Sequence, residues 1–586
     1  MSNPVEKAHK FLQEEQAFQL GSLLTESAHP KTLHLSQTAQ KNLPDAIRLL
    51  QSVDDEIPPV VLKTLLSPVF EELCAAFQNT FKNQKRIFFT GCGATGRLAI
   101  LLDAAWRRFW RQLKSRFPQI ARKLPDLEDN VASVMAGGDY ALIKAVEGFE
   151  DFPDFGKYQL TEAGIRPDDM VVAITEGGET PFVIGTAWQG LETHARVFFV
   201  YNNPTDLLRR DVQRSREIID DPRIQKIDLT TGPMAVAGST RMQAVTIELI
   251  IIAAALEIAL QQFLRELLPP PDFSSLGFPE YNPQDYHTFL VKLLHQLGSD
   301  EPVQNIAAAV TFERDIYQQK GLVTYLTDSF LLDVLTDTTE RSPTFMLPPF
   351  RPIDDTQSAL SWAMVKNPFY TTQDAWFHLL QRPPHGLTWG PDVYQRLDAP
   401  AHLRDRPPKL DNRQIYQFQI GSEPDPSRTD SAESALITIA VDSELDRLQT
   451  AGRDRCYADY KNKAMLYIGS QELAHQNERL FQFRCDLAPS YLWLWHHVAI
   501  KLILNTLSTA TMAKMERIVG NAMAWVSPSN KKLIDRGARL IAQLTGCSYE
   551  RACVELYVAL EQVQHMLQQH REPPSPVALA IEKIHS

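Results

Sequence analysis

Three loops of this chain combine glycines with hydroxyl side chains, and each lies near a strand-like run and opens a helix-like run. They are residues 91–96, with Thr95; residues 175–180, with Thr175, Gly177, Gly178 and Thr180; and residues 238–240, with Ser239 and Thr240. Backbone N–H groups at the start of a helix bind anions, and hydroxyls add further donors. In an open parallel sheet the loops after the strands converge on one crevice. Together the three loops therefore predict a pocket for a small anion.

The first loop reads G-x-G-x-x-G, a spacing that also occurs at dinucleotide sites. A dinucleotide site needs an acidic residue about 20 positions later, and the segment reached by that count, "SRFPQI", contains none. A Walker A loop needs lysine and then serine or threonine after its last glycine, where this chain has Arg97 and Leu98. A simple phosphate fits best, although each loop taken alone is also explained as a tight turn or a helix cap.

The composition is that of a globular protein with an acidic balance. Of its 586 residues 44% are apolar, and the formal net charge of −12 disfavours a nucleic-acid partner. The six cysteines show no C-x-x-C spacing, so we expect no zinc site, and we expect no cofactor. The N-terminus is charged, and Glu248 and Glu257 interrupt the apolar run at 247–260. We therefore expect that run to be a buried helix, with no membrane partner and a cytoplasmic location.

Alternation of short apolar runs with longer helical runs predicts parallel α/β sheets from about residue 86 onward. The strand candidates are "RIFFTG", "VASVMAGG", "MVVAIT", "ARVFFVYNN" and "QKIDLT" in the first half, and "GLVTYLTD", "YQFQIGS", "ALITIAV" and "AMLYIGS" in the second. Residues 267–283 are predicted to link the halves, which a duplication would explain. The proline-rich region 343–410 gives no assignment. A helical run begins near Trp493, with Ser529 or Asn530 as a later helix cap.

Five motifs occur in the order and spacing of the sugar isomerase (SIS) domain family: "GCGATGRLA", "AGGDYALIKAVEGFED", "AITEGGETPFVIGTA", "NNP" and "GPMAVAGSTRM". More narrowly, they resemble the branch of the N-acetylmuramic acid 6-phosphate etherases and the glucokinase regulatory protein. The tail, with "KLILNTLSTATMAKMERIVGN" and "SNKKLIDRGARLIAQLTGCSYERACVEL", resembles the end of the regulatory protein. The resemblance is strong over 85–260, weak over 300–490 and good again from about 495.

The resemblance implies which residues meet the ligand. The positions that correspond to ligand-contacting positions of the family are Gly93, Ala94, Thr95, Thr175, Glu179, Ser239 and Thr240. Glu147 and Glu150 match two family glutamates, of which one contacts the sugar in the regulatory protein and one is a catalytic acid/base in the etherases. Lys501 matches a lysine that reaches the ligand from the distant end of the chain, where its cation would pair with phosphate.

Two features depart from the family pattern. The etherases carry a further glutamate where this chain has Ala105 or Trp106, and ether cleavage needs both a base and an acid. The second loop carries Glu176 and Glu179, which would repel a phosphate unless they point away. Either Glu176 is solvated and Glu179 caps a helix, or Glu179 binds sugar hydroxyls or an amine or replaces the missing base.

A polar cluster in the second half is open to two interpretations as well. It comprises Asp337, Thr339, Glu340, Arg341 and Ser342. It either completes the pocket from the second domain or forms an internal ion-pair network, and we favour the network.

We expect an α/β protein with two SIS-type parallel-sheet sandwich domains that form a pseudo-dimer, plus a C-terminal α-helical lid. The predicted boundaries are 1–50 for an N-terminal helical segment, 51–275 and 284–495 for the SIS domains, and 496–586 for the lid. The expected function is a sugar-phosphate-binding sensor or regulator, with a hexose phosphate or amino-sugar phosphate as ligand and a sugar kinase as a candidate partner. The alternative is an etherase-like lyase or a sugar-phosphate isomerase that uses Glu147 or Glu150.

Overall fold

The computed structural model describes residues 3–146, 148–452, 457–473, 479–526, 528, 530–568 and 574–585. Two five-stranded sheets, both entirely parallel, organise the described chain. The first sheet contains Ile87–Gly91 (β1), Val131–Met135 (β2), Met170–Ile174 (β3), Arg196–Tyr201 (β4) and Ile224–Asp228 (β5). The second contains Val323–Leu326 (β6), Ala363–Lys366 (β7), Ala435–Val441 (β8), Asn462–Gly469 (β9) and Arg479–Arg484 (β10).

The two sheets share one strand order. The first runs β2-β1-β3-β4-β5 and the second β7-β6-β8-β9-β10, so strands that correspond in chain order occupy corresponding places. In this doubly wound order the connections diverge between the first and third strands, and ligands bind at that switch point beyond the carboxyl ends. The chain therefore has two switch points, one between β1 and β3 and one between β6 and β8.

Helices cover both sheets. Those before β1 are Pro4–Glu14 (α1), Leu35–Lys41 (α2), Leu43–Asp54 (α3), Ile57–Leu65 (α4) and Pro68–Lys82 (α5). Those from β1 to the second sheet are Gly93–Arg116 (α6), Pro118–Ala121 (α7), Pro153–Glu162 (α8), Pro181–Glu192 (α9), Thr205–Asp211 (α10), Gln213–Asp220 (α11), Gln243–Leu267 (α12), Pro270–Ser275 (α13), Pro283–Leu297 (α14) and Asp300–Gln318 (α15).

The remaining helices belong to the second sheet and the C-terminal part. They are Leu331–Phe345 (α16), Thr372–Leu380 (α17), Pro391–Arg396 (α18), Ala401–Asp405 (α19), Asn412–Ile415 (α20), Leu445–Gly452 (α21), Leu494–Lys514 (α22), Lys531–Thr545 (α23), Tyr549–Gln568 (α24) and Pro576–His585 (α25). Helices α23 to α25 pack with α1 around their own apolar cluster. They form the structural counterpart of the expected lid.

Helix α12 is long and apolar enough to cross a membrane, and its apolar window is completely buried inside the protein. The two glutamates within its apolar run have partners: Asn202 donates to Glu248 at 2.7 Å, and the Tyr286 hydroxyl donates to Glu257 at 2.9 Å. Burial raises the pKa of both glutamates, to about 7 for Glu257. The prediction of a buried helix is therefore confirmed.

The five strand predictions of the first half are confirmed, as are three of the four in the second half. The run "YQFQIGS" is not a strand. Its backbone makes one hydrogen bond to each of three separate residues, Ile353, Asn367 and Tyr370, and therefore forms no ladder with a single neighbouring strand. Strands β7 and β10 were missed; β7 is only four residues long and lies in the proline-rich region that gave no assignment. The segment 267–283, which was predicted to link the two halves, contains a short helix, α13.

Arg382 of the second half is inserted between two carboxylates of the first. It contacts Asp103 on α6 at 3.0 Å and Asp139 at 2.6 Å, and it also donates to the Ser133 hydroxyl. The Arg382 side chain is buried, so these charges interact with little screening by water. This group of charges joins the two α/β halves.

Replacing Arg382 with alanine should destabilise the protein, because Asp103 and Asp139 would stay buried with fewer partners. Breaking a buried charge pair on one side costs about 3–5 kcal/mol. Urea unfolding measures the change, and the exposed Arg122→Ala is the matched control, with an expected effect within about 0.5 kcal/mol. Equal stability of the two variants would show that Arg382 does not join the halves.

Candidate functional site

The first loop presents its backbone at the carboxyl edge of β1. Helix α6 begins at Gly93, and the Thr95 hydroxyl accepts from the Cys92 N–H and donates to the Cys92 carbonyl, each at 3.0 Å. A Cβ on Gly96 would lie 2.5 Å from Met135, whereas one on Gly93 would meet nothing within 4 Å. Gly96 therefore permits close packing, and Gly93 with the half-buried Ala94 leaves the helix start open to a ligand.

The second loop lies beside it, after β3. The hydroxyls of Thr175 and Thr180 bond to each other at 2.9 Å. Gly178 has a φ of +72° and allows the turn, while a Cβ on Gly177 would stand 3.6 Å from the Lys532 ammonium nitrogen. The loops after β1 and β3 thus flank the first switch point, as the sequence predicts.

The third loop adds Ser239 and Thr240. The Thr240 hydroxyl donates to Glu176 of the second loop at 3.2 Å, and Ser239 is buried next to it in sequence. Gly238 has a φ of +76°, and a Cβ there would collide with the guanidinium of Arg536, at 2.5 Å. The third loop therefore touches both the second loop and a residue of helix α23.

Helix α23 brings a row of side chains to this edge. Its N-cap Asn530 contacts the Glu150 carboxylate through the side-chain amide, and Lys532 donates to Glu179 at 3.1 Å. Lys532 and Arg536 are four residues apart, so they share one helix face. The first turns of the lid thus deliver an amide and cations to the loops of the first domain.

A single buried carboxylate, Glu26, holds the same helix. Arg536 makes two hydrogen bonds to it, at 2.8 and 2.6 Å, and Arg539 makes a third at 3.1 Å. Although burial would raise the pKa of Glu26, the charge and hydrogen bonds of Arg536 and the charges of Lys532 and Arg539 lower it to about 2. Glu26 is therefore ionised at neutral pH and fixes the lid against the first domain.

Two carboxyl groups at the site have raised pKa values. Burial raises the pKa of Glu176 to about 7, against the opposing charge of Lys532. Burial also raises the pKa of Glu150, which accepts from the Cys92 thiol with Sγ and Oε2 3.6 Å apart. Glu176 therefore has the capacity to exchange protons near neutral pH, and Glu150 holds its proton more strongly than an exposed glutamate does.

Glu179 behaves differently from its neighbour. It pairs with Arg214 at 2.5 Å as well as with Lys532. Although burial would raise the pKa of Glu179, the charges of Lys532 and Arg214 lower it below its ordinary value. The expectations of a solvated Glu176 and a helix-capping Glu179 are wrong, because Glu176 is buried and Glu179 is a buried ion-pair partner.

Of the two lysines that could serve the ligand, the structure brings Lys532 to the loops. Lys501, on α22, is half-buried and donates to the carbonyl of Arg241, the residue that follows Thr240 of the third loop. Burial lowers the pKa of Lys501 to about 8. Glu147 lies outside the described residues. The motif "SNKKLIDRGAR" carried the signal for Lys532, since its cations repeat every three or four residues.

The polar cluster of α16 forms an internal ion-pair network. Asp337 pairs with Arg241 at 2.9 Å and with Arg341 at 2.7 Å, and Arg341 also contacts the buried Glu313. Glu340 lies 3.7 Å from Arg97 of the first domain. The network joins the halves behind the third loop and agrees with the interpretation that we favour from the sequence.

Substituting Glu26 with glutamine should loosen the lid, because Arg536 and Arg539 lose a buried anion. We expect about 3–5 kcal/mol less protection of α23 from hydrogen–deuterium exchange, since breaking a buried pair costs that much. A carboxyl whose pKa is depressed on folding stabilises above its ordinary pKa and loses this effect as the pH falls toward about 2. The exposed Glu14→Gln is the control, and unchanged exchange in the Glu26 variant would refute this role.

Comparison with known proteins finds similar sequences for the first α/β domain. Residues 69–189 match the family model described as the glucokinase regulatory protein N-terminal SIS domain. Among curated proteins, N-acetylmuramic acid 6-phosphate etherases of Clostridium acetobutylicum and Prochlorococcus marinus are 29% and 32% identical to this chain over 233 and 226 residues. These matches cover 40% and 39% of this chain, and 67% and 62% of the relatives' own length.

The solved structures that match this chain have low sequence identity to it. A putative tagatose-6-phosphate ketose/aldose isomerase from Clostridium novyi has a TM-score of 0.44 at 8% identity, and covers 83% of this chain and 92% of its own. The C-terminal domain of glucosamine-fructose-6-phosphate aminotransferase from Francisella tularensis has a TM-score of 0.42 at 9% identity, over 80% and 96%. Residues 69–189, in the first α/β domain, are thus similar to the N-terminal SIS domain of the glucokinase regulatory protein, and the chain is similar to N-acetylmuramic acid 6-phosphate etherases over 40% of its length.

Proposed function

We propose that the first switch point binds a phosphorylated sugar and that the protein acts on it as a lyase of the etherase type. The observation that carries the proposal is the open helix start at Gly93, together with the half-buried Lys532, which pairs with Glu179 of the neighbouring loop at 3.1 Å. Backbone N–H groups and an ammonium group are complementary to a phosphate. The etherase relatives support a phosphorylated amino sugar as the substrate class.

The chemistry needs a base and an acid. Cleaving an ether β to a carbonyl removes the proton next to the carbonyl and protonates the departing oxygen. Burial raises the pKa values of both Glu150 and Glu176, to about 7 for Glu176, so Glu176 can gain or lose a proton near neutral pH. We assign the two proton transfers to this pair, with Glu147 as a further candidate from the sequence alone.

A phosphosugar sensor is the second candidate function, and one observation favours it. Ala105 and Trp106, the two residues that could stand where an etherase has a carboxylate, are both buried, and Trp106 stacks on Phe81 with ring centres 4.8 Å apart. No carboxylate from that position reaches the site, so ligand binding without turnover would then shift an equilibrium of the lid. A sugar kinase partner and a cytoplasmic location stay predictions from the sequence.

Turnover separates the two functions. We expect N-acetylmuramic acid 6-phosphate to be cleaved with release of lactate, and deuterium from heavy water to enter the product beside the carbonyl. Glu150→Gln and Glu176→Gln should each lower kcat about 100-fold or more, as loss of a general acid or base does. The exposed Glu217→Gln is the control. Tight binding with neither lactate nor exchange would reject the lyase and leave the sensor.

Ligand affinity should depend on pH through Glu176. With a pKa of about 7, this group is ionised at higher pH and repels a phosphate, so affinity for N-acetylglucosamine 6-phosphate should rise as the pH falls from about 8 to about 6.5. The phosphate group of the ligand stays mostly doubly ionised over this pH range, so the change in affinity comes from a titrating group of the protein. Calorimetry of Glu176→Gln should show a flat profile, and a profile like that of the wild type would exclude Glu176 as the cause.

A further inference from the structure

A cavity of about 220 Å³ lies among helices α3, α14, α15 and α22. The residues that line it belong to these helices and the segments directly after α3 and α14, and none belongs to a strand or to the three loops of the first domain. One water occupies about 30 Å³ in the liquid, so the cavity has room for a small organic molecule. It is therefore a feature separate from the candidate sugar-phosphate site.

The walls of this cavity are mainly aliphatic. They include Leu294, Leu297, Ile306, Leu502 and Ile503, and all of these except the half-buried Leu294 are at most 6% exposed. Aliphatic walls offer no hydrogen bonds to water, whereas an ordered buried water makes about three. Covering apolar surface gains about 25 cal/mol per Å². The walls thus favour a molecule with an aliphatic part over water alone.

One buried carboxyl group lies in the wall, at the end of α3. Asp54 is 6% exposed, and Gln243 donates to its Oδ1 at 2.7 Å. Burial raises the pKa of Asp54 to about 7, and the charge of Asp55 raises it further, against the Gln243 hydrogen bond and the charge of Lys501. Lys501 itself donates to a backbone carbonyl. A cation bound beside Asp54 would offset the cost of burying its charge.

The charges at the mouth leave a surplus of carboxylate. Arg48 and Asp55 line the cavity and are both exposed, so they lie on its solvent side. Arg48 donates to the Gly298 carbonyl at 3.1 Å and pairs with Asp300, which neutralises it. Asp54 inside and Asp55 at the mouth therefore make the cavity attractive to a positive charge.

The neutral donors on the wall are also engaged within the protein. The Gln51 amide donates to the Leu297 carbonyl at 3.1 Å, and the Thr506 hydroxyl donates to the Leu502 carbonyl at 2.8 Å. A ligand that brings its own donors fits such a wall, since carboxylates only accept. Aliphatic walls, a buried carboxyl group and engaged donors together define an amphipathic molecule with a cationic end.

We propose that this cavity binds a small organic cation, a primary ammonium group on a short aliphatic chain. The ammonium group pairs with Asp54, and the chain lies against Leu297, Ile306 and Ile503. Such a site goes beyond the proposed action on a sugar phosphate and does not depend on it.

Three probes of nearly equal size test the charge of the ligand: n-butylammonium, 1-butanol and butyrate. Saturation-transfer NMR on the full-length chain should give butylammonium a dissociation constant on the order of 1 mM. Butanol keeps the chain and loses the charge, so it should bind about tenfold more weakly, as loss of a charge-assisted hydrogen bond implies. Butyrate should not bind, because two carboxylates repel it.

Two variants test the place of binding. Asp54→Asn should lower the affinity for butylammonium about tenfold, to that of butanol, and leave butanol binding unchanged. Leu294→Phe puts a larger side chain at a half-buried position of the wall and should weaken both probes by filling the cavity. The exposed Asp354→Asn is the control for the loss of a charge, and Tm measurements verify that all variants fold.

The proposal is overturned if butylammonium binds no more tightly than butanol or does not bind at all. It is also overturned if Asp54→Asn binds butylammonium as tightly as the Asp354→Asn control, or if Leu294→Phe keeps full affinity for both probes. Water alone would then occupy the cavity, or the amine would bind elsewhere on the protein.

Discussion

The carboxylate of Glu26 controls how the functional edge is assembled. Glu26 is buried and ionised, and the cost of removing its charge from water is offset because Arg536 and Arg539 pair with it. A helix is rigid over one or two turns, so fixing Arg536 on Glu26 also fixes the residues one turn earlier. Lys532 then reaches Glu179, and Asn530 reaches Glu150. An N-terminal residue thus determines where a C-terminal lysine meets the loops of the first sheet.

The two switch points show how one strand order supports different chemistry. After β1 the backbone turns through glycines, exposes N–H groups and receives a cation from the lid. After β6 the corresponding segment carries Asp328, and carboxylates and histidines replace the glycines. Sheet topology therefore fixes where a ligand can bind, while the loop residues fix which ligand it is. The shared strand order supplies two such positions, and the side chains at them differ.

Long apolar runs made most of the fold predictable from the sequence. Strands β1, β3 and β4 are buried along nearly their whole length, so their residues show no competing pattern. Strand β10, "RLFQFR", was harder because charged residues flank a short alternating core. The run "YQFQIGS" misled because Phe418 and Ile420 are buried by side-chain packing without a ladder partner. Burial and strand pairing are separate properties, and a sequence pattern reports mainly the first.

The site was predictable at the loops and less so at the lid. The spacing of glycines and hydroxyl residues identifies a loop directly. The choice between Lys501 and Lys532 depends instead on how far helices α22 and α23 lie from that loop, and a local sequence pattern carries no information about this distance. The same limit applies to the carboxylates. Glu176 and Glu179 are three residues apart, yet Arg214 and Lys532 keep Glu179 ionised, while burial raises the pKa of Glu176 to about 7.

That difference bears on the missing etherase glutamate. Ala105 and Trp106 are both buried, and Trp106 stacks on Phe81, so neither of the two candidate positions supplies a carboxylate to the site. The site nevertheless keeps two carboxyl groups with raised pKa values, Glu150 from the segment before α8 and Glu176 from the loop after β3. Acid–base chemistry depends on protonation and reach and not on the strand that supplies the group. The proposed lyase reaction would therefore depend on Glu150 and Glu176 in place of the glutamate that the etherases carry in α6.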